Sequence, residues 1–587
     1  MLKNTMIGTD EITILGVDEK MTSKLIKSHD LDGITIYDLE FSNTTGVFSE
    51  KVTLVWKIPS INVKGIWKPT ADFSKRIQAD WELLPMESRI SIDAPVLSIF
   101  GHDDSNVFTF ACSEAIEKIE MNAQLREEDN FIYCRLSLFT ESCHKDRFKA
   151  QLRLDQRAGH FSNALKRVAA WWENDIGLTP ASVPAIARKP LYSTWYQFHQ
   201  NLEETALLKE LEMAKDMGYQ SVIIDDGWQT KDDNRGYDFT GDWRPDRIPQ
   251  MAAFIAKIHA LDMKAALWYS VPFCGKKSEA YQRFKGKFLT ENHRWAPVFD
   301  PRYPEVRAYL IGIYANALKD WNLDGFKLDF IDDFRGYEDT VPFLKNVMDY
   351  TSVNAAVDRL MTDIIQTLQG INPEIFIEFR QKYTGPAMRK YGNMFRAFDC
   401  PGDAVMNRVR IADIKMLCGN TAVHSDMVTW HKEEPVEIAA LQMINTLFGV
   451  PQLSIMLQDA PSSHLAMIQF YTQYWIAHEE VLLDGDFIPF KPLANYPLKK
   501  ITKNGYLILG IYDEYVATID QKSDNIHIFN AQIAHEVILK CPEGSQMYHS
   551  EVYDCEGKIV AEENINLEKG LLRLKVPPCG MVQLKKI

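Results

Sequence analysis

No Cys-x-x-Cys pair and no Cys/His cluster at zinc spacing occurs among the nine cysteines, which are scattered from Cys112 to Cys579. Their odd number and spread exclude a disulfide framework or a structural zinc site as the organising principle. No stretch approaches the roughly 20 consecutive apolar residues that span a bilayer. Residues 1–10 contain no apolar run of signal-peptide length, so a cytoplasmic location is expected. Positive charge is also short. Against 80 Asp and Glu there are 65 Lys and Arg, a net charge of -15, and such a surface repels phosphate, which excludes nucleic acid and anionic membranes as partners. What is present is ample core material: 46% of the 587 residues are hydrophobic and 11% aromatic, enough for about three domains. The partner that fits best is a small neutral ligand, and a homo-oligomer is allowed.

Residues 1–185 alternate short apolar runs with polar turns, at 11–17, 33–37, 51–58, 90–99, 106–112 and 130–138. This pattern predicts an antiparallel β-sandwich. A helix is expected over 163–172, and Pro180, Pro184 and Pro190 mark the linker that follows. From residue 186 to 485 the pattern changes to short apolar strands, at 191–198, 221–226, 263–269, 325–330, 375–380, 394–399, 421–426 and 451–456. Longer segments between them carry apolar residues at three- and four-residue spacing. Eight such β-α units predict a (β/α)8 TIM barrel. Strand signals without helices return over 486–587, predicting a small C-terminal antiparallel β-sandwich. The fold class is therefore multidomain α/β plus β, a central barrel flanked by two β domains.

In a parallel barrel the C-terminal ends of the strands share one rim, where the chemistry is done. Here that rim receives Trp195 from strand one, Asp225, Asp226 and Trp228 from strand two, and Trp268 from strand three. Strand four brings Lys327 and Asp329, strand five Glu378 and Arg380, strand six Asp399 with Asp403 just beyond, and strand seven His424 and Asp426. Carboxylates facing one another across an aromatic bowl suit hydrolysis of a sugar acetal, one as acid and another as nucleophile or stabiliser. Tryptophan faces stack on the apolar side of a pyranose, and Asp, Lys and Arg bond its hydroxyls. Each residue has a plainer role open to it. A strand-end Asp is often a helix cap, Lys327 is placed to be the ion-pair partner of Asp329, His424 reads as a structural histidine, and Asp332 and Asp333 read as a loop or cap pair.

Asp225-Asp226-Gly227-Trp228, Lys327-Leu328-Asp329, and Asp399 followed by Arg408-Val409-Arg410-Ile411 resemble the retaining α-galactosidases of glycoside hydrolase family 36, in the clan that also holds families 27 and 31. Gly241-Asp242-Trp243, Asp300 with Pro304-Glu305-Val306-Arg307, and Gly485-Asp486-Phe487 extend the likeness over the barrel and into the C-terminal domain. The resemblance implies cleavage of terminal non-reducing α-D-galactosides by double displacement. Asp329 would be the nucleophile and Asp399 the general acid/base, with no metal or organic cofactor. It further implies that Asp225 and Asp226 grip sugar hydroxyls, that Lys327 reaches O3 or O4, and that Trp195 and Arg380 match the tryptophan and arginine of strands one and five; Trp228 and Trp268 join the list as aromatic rim residues. The sequence departs from the family at three places. Asp403 lies four positions after Asp399, not the three of the family's Ser-Asp-x-x-Asp, so Asp403 is a rival acid/base or a substrate contact. Ile377-Glu378-Phe379-Arg380-Gln381-Lys382 replaces the Cys- and Gly-rich loop beside the sugar's C2 group, and Trp268-Tyr269-Ser270-Val271-Pro272 lacks the glutamates of strand three. Three alternatives therefore stay open: a same-clan α-N-acetylgalactosaminidase, α-xylosidase or raffinose-synthase-like transglycosidase; a barrel lyase forming a Schiff base on Lys327; and a non-catalytic sugar-binding protein.

Overall fold

The computed structural model describes residues 12–82, 84–234, 237–519 and 522–587. The signal-peptide reading of residues 1–10 and the start of the strand expected at residue 11 lie outside them. Two antiparallel sheets form the N-terminal unit. One contains Thr13–Leu15, Val52–Pro59, Phe131–Leu138, Ile119–Arg126 and Met86–Ser88; the other contains Met21–Leu31, Ile34–Asn43, Arg147–Asp155, Asn106–Cys112, Val96–Phe100 and Gly65–Trp67. Alternate residues such as Val52, Leu54, Trp56 and Ile58 point inward to a shared core, as a half-buried strand requires. The helix Phe161–Asn174 buries Leu165, Val168 and Trp172, and Trp172 Nε1 donates to Cys112 O at 2.9 Å.

The barrel strands are β1 (Leu191–Ser193), β2 (Ser221–Ile224), β3 (Lys264–Ser270), β4 (Gly325–Asp329), β5 (Phe376–Arg380), β6 (Met394–Arg396), β7 (Ala422–His424) and β8 (Gln452–Leu453). They pair in parallel in the order 7-6-5-4-3-2-1-8. The seam between β7 and β8 is held by single bridges, His424 to Val450 and Val428 to Leu453. Leu191, Ile223, Ala266, Phe376, Met394 and Ala422 pack together as one cluster, a filled lower interior of the kind that directs ligands to the opposite rim. Gly325 is required here, because a Cβ would stand 2.6 Å from the carbonyl and ring of Phe376. Strands β1 and β8 are shorter than the sequence pattern predicts. After Ser193 the chain turns into the helical segment Trp195–Phe198, and β8 ends before the turn Leu457–Asp459.

The C-terminal unit is one mixed sheet with the core Leu507, Leu509, Ile526, Ile528, Leu539 and Val582. Most pairs are antiparallel, as expected. Two are parallel: Tyr506–Ile511 with Asn525–Asn530, and Val516–Thr518 with Glu536–Tyr553. The long hairpin Glu536–Tyr553 and Ile559–Lys575 exceeds the short strands read from the sequence, because its second arm is largely charged and exposed.

The three units meet at Asp413 on the barrel helix Ala404–Lys415. Its carboxylate accepts from Trp67 Nε1 at 2.8 Å and Tyr496 Oη at 2.5 Å, and pairs with Lys75 Nζ at 3.0 Å. Trp67 and Lys75 belong to the N-terminal unit and Tyr496 to the C-terminal one. Removing one partner of such a buried pair costs about 3 to 5 kcal/mol.

Candidate active site

Parallel pairing sets Trp268 beside Lys327 and Lys327 beside Glu378, and these neighbours share the inward face with Asp329 two residues on. The strand stops at Asp329 because Phe330 adopts a left-handed conformation, φ 63°, a local strain of order 1–3 kcal/mol. That turn returns the Phe330 N–H to Asp329 Oδ1 at 2.7 Å and leaves the Phe330 ring on the cavity wall.

Trp195, Asp225, Asp226, Trp268, Lys327, Asp329, Arg380 and Asp399 all line one cavity of about 360 Å³ at the C-terminal rim. Asp329 is its most heavily bonded carboxylate. Oδ1 accepts from Arg380 Nε at 2.7 Å, Tyr383 Oη at 2.8 Å and the Phe330 N–H, and Oδ2 accepts from Trp268 Nε1 at 2.9 Å. Burial alone would raise this carboxyl, but the Arg380 and Lys327 charges, joined by the Trp268 and Tyr383 hydrogen bonds, hold it well below the usual carboxylate range.

The plainer role open to Lys327, direct pairing with Asp329, is not the one it takes: its direct partner is Asp225, Nζ to Oδ2 at 2.6 Å. Asp226 accepts from Gln229 Nε2 at 2.6 Å and Gln200 Nε2 at 2.9 Å, yet burial pushes its carboxyl up to about 6. Gly227 follows because a Cβ there would meet the Gln200 backbone at 2.5 Å, with φ at +120°.

Asp399 sits across the cavity with 42% of its side chain exposed, Oδ1 2.8 Å from Arg396 Nη2. Burial would raise it, and the Arg396 charge, followed by Arg380 and Lys327, outweighs that and lowers it. Its backbone is fixed by Arg410, whose Nη1 donates to Phe398 O at 3.1 Å and Asp399 O at 3.2 Å while Nε and Nη2 reach the Asp72 carboxylate of the N-terminal unit at 2.9 Å each.

Two expected site residues lie elsewhere. Trp228 is fully buried behind the rim against Trp243, Tyr269 and Trp321, its Nε1 donating to Trp268 O at 2.9 Å. A strand-end tryptophan here fills the layer between strands and helices. Asp403 is exposed and caps the helix Ala404–Lys415, Oδ1 accepting from Met406 N at 2.8 Å, and it is not among the cavity-lining residues. His424 is structural, as expected: Nε2 donates to Ala187 O at 2.7 Å, and burial pushes the ring down to about 4.

Sequence reasoning missed Tyr237, Arg294, Trp295, Phe398 and Asp332 with Asp333 on the cavity wall. It also missed the central role of Arg396, fully buried at the end of β6. This guanidinium pairs with Asp426, reaches Asp399, and places Nε 3.3 Å from Glu378 Oε1. Asp426 is thereby buried in a structural role, accepting also from Tyr196 Oη at 2.8 Å and Cys400 N at 2.6 Å. Among the described residues no group of three or more His, Cys, Asp or Glu is arranged to hold a metal ion, and no helix is long and apolar enough to cross a membrane.

Carboxylates, a buried lysine and tryptophans on a barrel rim suit the hydrolysis of a sugar acetal. Residues 184–378 match the Melibiase family model. The fold is that of the family-36 α-galactosidases. AgaA of Geobacillus stearothermophilus superposes with a TM-score of 0.64 at 13% identity, over 98% of this chain and 83% of that one. An α-galactosidase of Lactobacillus brevis gives 0.64 at 14% identity, over 100% and 83%. TtGalA of Thermus thermophilus, solved with p-nitrophenyl α-D-galactopyranoside, gives 0.53 at 16% identity, over 85% and 98%. No curated protein matches the sequence. The family model and the fold agree with the family-36 resemblance carried by the motifs.

Proposed function

We propose that the protein is a retaining glycoside hydrolase that removes terminal non-reducing α-D-galactosyl groups. The observation that carries this reading is the pairing of Asp329, held ionised, with Asp399 in one cavity that also presents Trp195, Trp268 and the Lys327–Asp225 pair. An ionised, immobilised carboxylate is what a nucleophile must be. Asp329 attacks the anomeric carbon while Asp399 gives a proton to the departing oxygen. Water then attacks the galactosyl-enzyme, its proton passing to Asp399, and Asp329 leaves. Lys327 and Asp225 offer a donor and an acceptor side by side for neighbouring hydroxyls, Asp226 offers a further acceptor, and the tryptophan rings pack on the sugar's apolar face. The same architecture supports the domain division 1–185, 186–485 and 486–587.

A same-clan enzyme with another sugar specificity is the second reading, favoured by Glu378, Arg380 and Gln381 where the family has its Cys- and Gly-rich loop. A Schiff base on Lys327 is disfavoured. Burial would lower this ammonium, but Asp225, Asp329 and Glu378 together outweigh burial and keep it charged, whereas an attacking amine must be neutral.

The test is a panel of aryl α-glycosides (galactoside, N-acetylgalactosaminide, xyloside, glucoside) with wild type, Asp329→Ala and Asp399→Ala. Cleavage of the galactoside alone, loss of activity in both variants, and azide rescue of Asp329→Ala as the inverted glycosyl azide are expected. Inertness of the wild type on every α-galactoside would falsify the assignment.

A further inference from the structure

The two oxygens of Asp329 are not equivalent. Oδ1 receives three donors, at 2.7, 2.8 and 2.7 Å from Arg380 Nε, Tyr383 Oη and the Phe330 N–H, whereas among the described residues Oδ2 receives only Trp268 Nε1, at 2.9 Å. A carboxylate oxygen has about two lone-pair sites, so Oδ1 is saturated and Oδ2 keeps one free.

We propose that Oδ2 is the atom that bonds the sugar and that Tyr383 is a positioning residue for it, reserving Oδ1 as the charge-bearing oxygen. This rests on the hydrolase reading above. In the first half-reaction the C1–Oδ2 bond forms as the bond from C1 to the aglycone oxygen breaks, and that oxygen takes the proton of Asp399. Oδ1 becomes the carbonyl oxygen of the ester and needs its donors least. In the second half-reaction a water oxygen bonds C1, its proton goes to Asp399, and the C1–Oδ2 electron pair returns to the carboxylate. Negative charge then reappears on Oδ1, where the Arg380 and Tyr383 donors are already aimed, so relative to the glycosyl-enzyme they stabilise the deglycosylation transition state.

Tyr383 is built for this. It is fully buried, and its hydroxyl has one further acceptor, Leu328 O, only at 3.4 Å. Burial, with Asp329 adding to it, keeps the phenol protonated and hence a donor. The loop that carries it is gripped by the N-terminal unit. Asp93 N donates to Lys382 O at 3.0 Å, and a Cβ on Gly385 would stand 2.9 Å from Asp93 O. The N-terminal sandwich thus buttresses the segment that orients the carboxylate.

The experiment is stopped-flow kinetics of Tyr383→Phe on 2,4-dinitrophenyl α-D-galactopyranoside, with the unfolding midpoint as a folding control. Loss of a hydrogen bond to a charged group slows the step that needs it by roughly 10- to 100-fold. A fall in kcat of that size is expected, with KM falling in parallel and a burst of about one equivalent of dinitrophenolate per site as the galactosyl-enzyme accumulates. Added azide should restore turnover of the variant. A kcat within about twofold of wild type, or a lower kcat without burst or azide response, overturns the proposal while leaving the hydrolase reading intact. A wild type inert on all α-galactosides overturns both.

Discussion

Arg396 Nη2 stands 2.8 Å from Asp399 Oδ1, and the same guanidinium pairs with Asp426 and Glu378. The pKa of the proposed acid is therefore lowered by a cation that is itself locked by two buried carboxylates. A general acid must carry its proton in the first half-reaction, so Arg396 sets the pH at which that step fails. In Arg396→Gln the largest stabiliser of the Asp399 anion is gone and its pKa rises, so the basic limb of kcat/KM should move to higher pH. A limb that stays put, or moves down, removes Arg396 from this role. The same variant leaves Glu378 and Asp426 buried without their cation, at a cost of about 3 to 5 kcal/mol in stability, read as a lowered urea midpoint.

Asp403 and Asp399 are rivals in sequence and unlike in structure. Because Asp403 caps a helix through Met406 N, Asp403→Ala should lose about 0.5 to 2 kcal/mol of stability and keep its turnover on aryl galactosides at temperatures where it is folded. Asp399→Asn should do the reverse, folding normally and losing the step that needs the acid. An inactive, well-folded Asp403→Asn would move the acid/base assignment to Asp403.

How far such roles were legible in sequence depended on whether the signal was local. Strand β4 was legible because Phe326 and Leu328 alternate with Lys327 and Asp329, and that period fixes which side chains share a face. Arg396 was not. It is one charge in a three-residue strand, and its partners Glu378, Asp399 and Asp426 come from three separate places in the chain, so only the closed barrel reveals the network. Trp228 follows strand β2 and Trp268 lies near the end of β3, and no linear pattern tells a ring on the cavity wall from one behind it. Tyr237 and Trp295 lie on loops after β2 and β3, whose course the hydrophobic period does not encode. The long C-terminal hairpin was hidden for a related reason, since an exposed arm rich in Glu and Lys carries almost no apolar alternation.

Asp226 gives a pH dependence of stability with a definite sign. Its carboxyl is 2% exposed and pushed up to about 6 by burial, above the roughly 3.9 of an unfolded chain. The native state therefore binds this proton more tightly. The stabilisation is fully present below the unfolded value and is lost as pH rises through 6, a change on the order of 3 kcal/mol. Asp226→Asn should flatten the fall in urea-derived stability between about pH 4 and 6 relative to wild type. Parallel curves for the two proteins would mean that Gln200, Gln229 and ligand-free solvent already satisfy the charged form.

Trp295 is the most exposed aromatic on the cavity wall, 37% accessible, with Tyr237 edge-on at 5.8 Å and Arg294 over its face at 5.0 Å. Trp268 is buried and bonded to Asp329, so the exposed Trp295 is placed to meet what lies beyond the scissile bond rather than the sugar being transferred. Stacking of a ring on a sugar contributes about 1 kcal/mol or slightly more. Trp295→Ala should therefore raise KM for raffinose by roughly 10-fold while leaving kcat for a small aryl galactoside nearly unchanged, because that contact is made equally in ground and transition states. Equal losses on both substrates would place Trp295 against the transferred galactose, and no loss on either would leave it outside the substrate's path.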